Sequence, residues 1–145
     1  MIMQKKLLLV IFIFLLGGGI LNPVLAQITQ VNLQTQSKLL LIEDLVANDR
    51  FLAAQNLILT NDFQYISEVQ KTELAFLNAF ISLKMDLREG PGLVEKFEYN
   101  HPEYSRLESL KKAKGDYYFK HKKYKNAAVE YEQVRSNNLD KEDRN

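Results

Sequence analysis

The segment from Ala113 to Val134, AKGDYYFKHKKYKNAAVEYEQV, constrains the fold of this chain more than any other. Small and aromatic residues recur in it at spacings of 3, 6, 3 and 4, namely Gly115, Tyr118, Tyr124, Ala127 and Tyr131. These spacings predict a helix that ends near Lys120, a tight polar turn, and a second helix from about Tyr124. Small residues let the two antiparallel helices approach, and aromatic side chains fill the space between them. The segment therefore predicts a helix–turn–helix hairpin.

Helical spacing of apolar residues continues through the rest of the chain. It predicts helices over about 36–46, 51–60, 71–85, 93–99, 105–120 and 124–135, followed by a polar, charged tail over 136–145. Turn-forming residues separate the helices at Asn48-Asp49, Asn61-Asp62 and Gly90-Pro91-Gly92. The helix over 71–85 is apolar on most sides, so we expect it in the middle of a packed array. No useful strand-like alternation appears, and the predicted fold class is all-α.

The hairpin pattern repeats along the chain. Ala54 and Gly90 are counterparts of Ala127 at spacings of 36 and 37 residues, and Phe51 matches Tyr124 at the start of a second helix. We therefore divide the chain into a segment over 1–26, a leader over 27–34, and three hairpins over 35–70, 71–107 and 108–143. The first hairpin is the most degenerate and the last is the clearest.

This pattern resembles the tetratricopeptide repeat (TPR), a helix–turn–helix unit of 34 residues. The segments LVEKFEYNHPEYSRL and GDYYFKHKKYKNAAVEYEQV, behind an export signal, are similar to the N-terminal region of exported TPR proteins of the Bacteroidetes. The resemblance implies a short α-solenoid. It assigns repeat packing positions to Ala54, Leu77, Phe97, Gly115, Tyr118, Tyr124, Ala127 and Tyr131. An ordinary antiparallel helical bundle is the alternative fold.

The resemblance also implies a function without catalysis. Such arrays present a concave face to a partner protein, usually lined by the first helix of each unit, so we expect a scaffold or adaptor of the bacterial cell envelope. Asn78, Lys111 and Lys114 place polar atoms at packing positions and are the candidate partner-binding residues. In the alternative, the chain is an N-terminal or capping segment of a longer array with no binding site of its own. A fourth unit would begin near Arg144, so a fragment of a longer array is one interpretation of the chain.

The N-terminus has the layout of a secretory signal peptide. Lys5 and Lys6 precede ten apolar residues, LLLVIFIFLL, and Val24-Leu25-Ala26 provides small residues for cleavage after Ala26. The apolar run is short for a membrane-spanning helix. An uncleaved anchor is the rival interpretation. We expect an exported protein of the periplasm or outer envelope, with no membrane span after cleavage.

Composition argues against several other classes of function. The formal net charge of +1 becomes −1 once Lys5 and Lys6 are removed, so no overall field favours nucleic acid. The chain contains no cysteine, which excludes disulfides, thiolate zinc sites and a cysteine nucleophile. His101 and His121 are 20 residues apart with no second ligand at metal-binding spacing. We therefore predict no catalytic, metal or cofactor site, and no enzymatic activity.

A cluster of lysines surrounds the turn of the last hairpin. Seven lysines lie between Lys111 and Lys125, with only Asp116 opposing them and Tyr117, Tyr118 and Phe119 interleaved. The simplest interpretation is a solvated face, with lysines favourably placed near a helix C-terminus. The other interpretation is a docking patch for an acidic protein segment, anionic lipid or cell-wall polymer.

Overall fold

The computed structural model describes residues 33–61, 63 and 66–142 of the 145-residue chain. By compactness the chain divides into two units, Met1–Ser37 and Lys38–Asn145. Of the first unit only residues 33–37 are described, and they are helical. The predicted signal peptide over 1–26 and most of the predicted leader over 27–34 lie outside the described residues.

Within the described residues the chain is all-helical, with six helices and no strand, which confirms the predicted fold class for this part of the chain. The helices are α1 (residues 33–47), α2 (Phe51–Thr60), α3 (Glu68–Lys84), α4 (Gly90–Asn100), α5 (Leu107–Lys120) and α6 (Tyr124–Glu142). The first helix is thus already present at residue 33, before its predicted start at Gln36. No described helix combines the length and apolar character that crossing a membrane requires.

The turns that join α1 to α2, α3 to α4 and α5 to α6 share one backbone geometry in the described part of the chain. Each holds one residue in the left-handed region, Asp49 (φ 56°), Asp86 (φ 64°) or Lys122 (φ 59°). The next amide in each turn donates to a carbonyl five residues back, at 2.8 to 2.9 Å, which is the pattern that closes a helix C-terminus. These turns recur at spacings of 37 and 36 residues, so the backbone geometry of the turns is periodic along the described part of the chain.

The start of α3 differs from its prediction. The helix begins at Glu68, three residues before Lys71, because Ser67 and Gln70 form a reciprocal cap. The Ser67 hydroxyl accepts from the Gln70 amide, and the Gln70 side chain accepts from the Ser67 amide at 2.9 Å. This arrangement satisfies two backbone donors that a helix N-terminus otherwise leaves free.

Two other helix boundaries also differ from prediction. Gly90-Pro91-Gly92, predicted as a break, forms the first turn of α4, because proline lacks an amide hydrogen and none is needed there. The chain instead breaks just before, between Met85 and Glu89. At the other end, α6 continues to Glu142, beyond its predicted end at Arg135.

The central helix of the array is α3, as its apolar sequence predicted. It packs against α2, α4 and α5, and α5 packs in turn against α4 and α6. A single cluster of buried apolar side chains joins α1 to α5, and it comprises Ile42, Leu45, Ala54, Phe76, Leu77, Ala79, Ile81, Leu83, Val94, Phe97, Leu110 and Ala113. Each large side chain buried in this way contributes about 1.5–3 kcal/mol to stability.

Candidate functional site

The first helices of the three hairpins enclose an open groove, defined here by the residues that line it. Its volume is about 570 Å³. The lining residues come from α1 and its following turn, from α3, and from the start of α5, and they are Glu43, Val46, Ala47, Asp49, Phe76, Leu77, Phe80, Lys84, Arg106 and Ser109. A volume of this size suits one or a few side chains of a partner segment.

Aromatic side chains and two cations shape the α3 side of the groove. The rings of Phe76 and Phe80 stack, with centroids 6.2 Å apart and planes 15° from parallel. The Arg106 guanidinium lies 4.1 Å from the Phe76 centroid, and the Lys84 ammonium lies 5.3 Å from the Phe80 centroid. The groove wall therefore consists of the half-buried Phe80 ring beside the Lys84 ammonium, and of Arg106, whose guanidinium covers the buried ring of Phe76.

The segment between α4 and α5 is fastened to α3 through one carboxylate. Glu73 accepts from Arg106 at 2.6 Å on one oxygen and from the Tyr104 hydroxyl on the other. The Tyr104 ring also packs edge-on against Phe97, with centroids 5.1 Å apart. Burial, reinforced by the bond to Glu73, raises the pKa of the Tyr104 hydroxyl, so it remains a neutral donor. These contacts fix the direction in which Arg106 enters the groove.

Carboxylates complete the charge pattern of the groove. Glu43 comes from α1, and Asp49 sits at the left-handed position of the following turn. Two basic residues therefore line the groove, Lys84 from α3 and Arg106 from just before α5. The two acids that face them, Glu43 and Asp49, come from α1 and the turn that follows it. Such a surface can hold an extended segment whose apolar side chain enters the groove and whose flanking residues carry charges of both signs.

The described residues contain no candidate metal centre, because no three acidic or histidine side chains among them come together as a metal site would require. No protein-family model, curated protein or solved structure matches this chain.

The candidate partner-binding residues do not line this groove. Asn78 is half-buried on α3, on a different side from Phe76 and Phe80. The Lys111 ammonium donates to the Gln133 side chain at 2.9 Å, which joins α5 to α6. Lys114 is only 5% exposed and is engaged by acids of α4 and α6. The structure thus places Lys111 and Lys114 in contacts within the chain.

Lys114 is the centre of a buried ion cluster between α4, α5 and α6. Its ammonium lies 3.0 Å from Glu130, 3.5 Å from Glu95 and 4.0 Å from Glu98. Burial alone would lower the pKa of Lys114, but the bond to Glu130 and the charges of all three acids outweigh it and raise that pKa. The lysine therefore stays charged, and its role is to hold three helices together.

Glu98 is the one poorly satisfied member of this cluster. Its Oε2 is 4.0 Å from the Lys114 ammonium, beyond hydrogen-bond distance, and its Oε1 is buried with no hydrogen-bond partner. Burial raises the pKa of the Glu98 carboxyl above its ordinary value of 4.5, and the charges of Lys114 and Lys111 only partly offset this effect. A cavity of about 400 Å³ opens beside the cluster, lined by Glu95, Lys114, Tyr118, Lys125, Asn126, Val129 and Glu130.

The residues assigned to repeat packing fall into two groups. Five of them are buried, namely Ala54, Leu77, Phe97, Gly115 and Ala127. Tyr118 is half-buried, Tyr131 covers Gly115 at the surface, and Tyr124 is 58% exposed. Tyr124 therefore does not fill the space between helices as predicted. Its ring lies at the hairpin turn against the exposed ring of Phe119, with centroids 5.4 Å apart.

Sequence reasoning missed the residues that define the groove. Phe76 and Phe80 are four residues apart on a predicted helix, so the sequence indicates that they share a face of that helix. The sequence does not indicate that this face borders a groove. Arg106 and Glu73 are separated by 33 residues, and no local spacing indicates that they pair. The capping pair Ser67 and Gln70 was detectable as a serine followed three residues later by glutamine.

Proposed function

We propose that this chain is a non-enzymatic protein-interaction module of the TPR type that acts in the bacterial cell envelope. The groove between α1, α3 and α5 binds an extended segment of a partner protein. The observation that carries this proposal is the origin of the lining residues, all of which come from the first helices of the hairpins or the segments next to them. That is the face on which the TPR resemblance implies binding.

The repeated turn geometry supports the same proposal. Left-handed residues at Asp49, Asp86 and Lys122 terminate the first helix of each hairpin in the same way. Repeated hairpins that contact their neighbours in order bury a continuous core and leave one face available. The predicted export signal supports the proposed location in the cell envelope. Its apolar run and its cleavage site after Ala26 are typical of segments that direct a chain across the inner membrane.

The chemistry of the groove indicates the kind of segment it accepts. The half-buried Phe80 ring favours an apolar or aromatic side chain, while the exposed Lys84 ammonium favours a nearby carboxylate. We therefore propose an extended peptide that carries an apolar residue next to an acidic one. Recognition rests on complementarity of shape and charge, and no bond is made or broken.

A matched pair of substitutions tests the groove. Ala47→Arg places a long charged side chain at its α1 edge, whereas Ala128→Arg adds the same group on α6, and both alanines are exposed. We expect Ala47→Arg to reduce capture of partner proteins from envelope extracts at least tenfold, because an occupied groove cannot accept the segment. Ala128→Arg should capture as the parent does.

Circular dichroism of both variants is the control for folding. Equal capture by Ala47→Arg, Ala128→Arg and the parent chain would contradict binding of the partner in the groove. It would favour the alternative, in which the chain is a structural segment of a longer array.

A further inference from the structure

The turn between α5 and α6 carries a surface that the groove does not use. We call it the basic tip and define it by Phe119, Lys120, Lys122, Lys123, Tyr124 and Lys125. All six residues are exposed. None of them lines the groove, so this surface is independent of the proposed peptide-binding function.

Two aromatic rings protrude from the basic tip. Phe119 is 59% exposed and Tyr124 is 58% exposed, yet their rings lie edge to face with centroids 5.4 Å apart. They form a small apolar projection at the end of a hairpin, which is a convex shape. A peptide would leave most of both rings in water, whereas a fluid interface can close around them.

Positive charge predominates around the rings. Residues 117–129 contain four lysines and no acid. Asp86 of the preceding turn accepts from Lys120 and His121, each at 2.7 Å. Lys123 lies over the Tyr118 ring at 5.8 Å. In the part of the chain that the structure describes, Lys122 and Lys125 have no ion pair, so both are available to an external anion.

We propose that the basic tip binds the surface of an anionic phospholipid bilayer. Phe119 and Tyr124 enter the headgroup region, and Lys122, Lys123 and Lys125 contact lipid phosphates. Lysine stems are long enough to cover apolar surface while their ammonium groups reach the headgroups. A segment of acidic residues alone, such as poly-glutamate, would satisfy the lysines but offer nothing to the exposed rings, so the combination of features favours lipid.

A single tryptophan makes the insertion directly measurable. The chain contains no tryptophan, so Phe119→Trp introduces the only indole, and Tyr99→Trp introduces it at an 88% exposed site on α4. Each full-length variant is mixed with vesicles of phosphatidylglycerol and phosphatidylcholine in equal parts, or of phosphatidylcholine alone. We expect a blue shift of emission for Phe119→Trp with the anionic vesicles only, and no shift for Tyr99→Trp.

Two lysine pairs then test the charge requirement in the Phe119→Trp background. Lys122→Gln with Lys125→Gln should weaken binding to anionic vesicles about 20-fold, since each lysine near the surface contributes several-fold. Lys96→Gln with Lys112→Gln removes the same charge from exposed sites outside the basic tip and should change binding less than twofold. The apolar segment Leu7 to Leu16 also has affinity for lipid, so binding of the whole chain to vesicles is not the measured quantity. The emission shift at position 119 and the matched lysine substitutions report on the basic tip itself.

Two results would overturn the proposal. One is an emission shift that is the same with both kinds of vesicle and unaffected by loss of Lys122 and Lys125. The other is a shift on addition of poly-glutamate with none on addition of anionic vesicles, which would assign the basic tip to an acidic protein segment.

Discussion

Gly115 is the residue of α5 against which the Tyr131 ring of α6 packs. A Cβ atom added there would lie 2.5 Å from Cε1 of the Tyr131 ring and 2.9 Å from Cδ1. The ring is held in place by its hydroxyl, which donates to Asp116 at 2.7 Å, and burial together with this bond raises the pKa of Tyr131 to about 12. The small residue and the aromatic residue that marked this hairpin in the sequence are therefore in direct contact.

This contact predicts opposite effects for two glycine-to-alanine changes. Gly115→Ala should lower the free energy of unfolding by about 1–3 kcal/mol, because the Tyr131 ring must move. Gly92→Ala should raise it by up to about 1 kcal/mol, because that site in α4 has no atom within 4 Å and alanine favours a helix. Urea unfolding followed by circular dichroism measures both changes.

A second background identifies the cause of the loss at Gly115. With Tyr131→Ala already present, Gly115→Ala should leave the free energy of unfolding nearly unchanged or raise it, because the Tyr131 ring is no longer there to be displaced. If Gly115→Ala were as stable as Gly92→Ala in the parent chain, the close approach of α5 and α6 would be wrong.

At the scale of elements, the ion cluster around Lys114 joins α4, α5 and α6, and Glu98 is its weakest member. A carboxyl whose pKa is raised on folding stabilises the fold only while it is protonated. That contribution is present below the ordinary value of 4.5 and is lost as pH rises through the folded-state pKa. An ionised Glu98 carboxylate therefore opposes folding.

Glu98→Gln should accordingly stabilise the chain at pH 7 by about 1 kcal/mol, because a neutral amide costs less to bury without a full set of hydrogen bonds than a carboxylate does. The advantage should disappear below about pH 4, where Glu98 is protonated in both states. Glu95→Gln is the matched control, because its side chain is 61% exposed and lies 3.5 Å from Lys114. Thermal unfolding at pH 4 and pH 7 measures both variants, and a loss of stability for Glu98→Gln at pH 7 would contradict this account.

The sequence predicts those features of an element that neighbouring residues encode, and it does not predict contacts between residues that are far apart in the chain. The turn at Asn48-Asp49 and the paired helices around Gly115 and Ala127 were predicted because neighbouring residues encode them. The burial of Lys114 was not predicted, since lysine is almost always exposed and its partners belong to other helices. For the same reason, the tie from Glu73 to the segment before α5 could be found only from the structure.

On the scale of the whole molecule, two surfaces, the groove and the basic tip, differ in shape and charge. The groove is concave, is lined by the first helices, and carries charges of both signs. The basic tip is convex, is exposed, and carries positive charge with two aromatic rings. A protein that binds a partner segment at one surface and an anionic bilayer at the other would hold that partner at the membrane.

If the groove binds a partner segment, it contacts another protein in the living cell, and site-specific photo-crosslinking detects that contact. A benzophenone amino acid replaces Ser109, which lines the groove, or Asn100, which is exposed at the end of α4 outside it. We expect a discrete crosslinked product from position 109, none from position 100, and loss of the product when Ala47→Arg is also present. Equal products from both positions, or a product at 109 that survives Ala47→Arg, would rule out the groove as the binding surface.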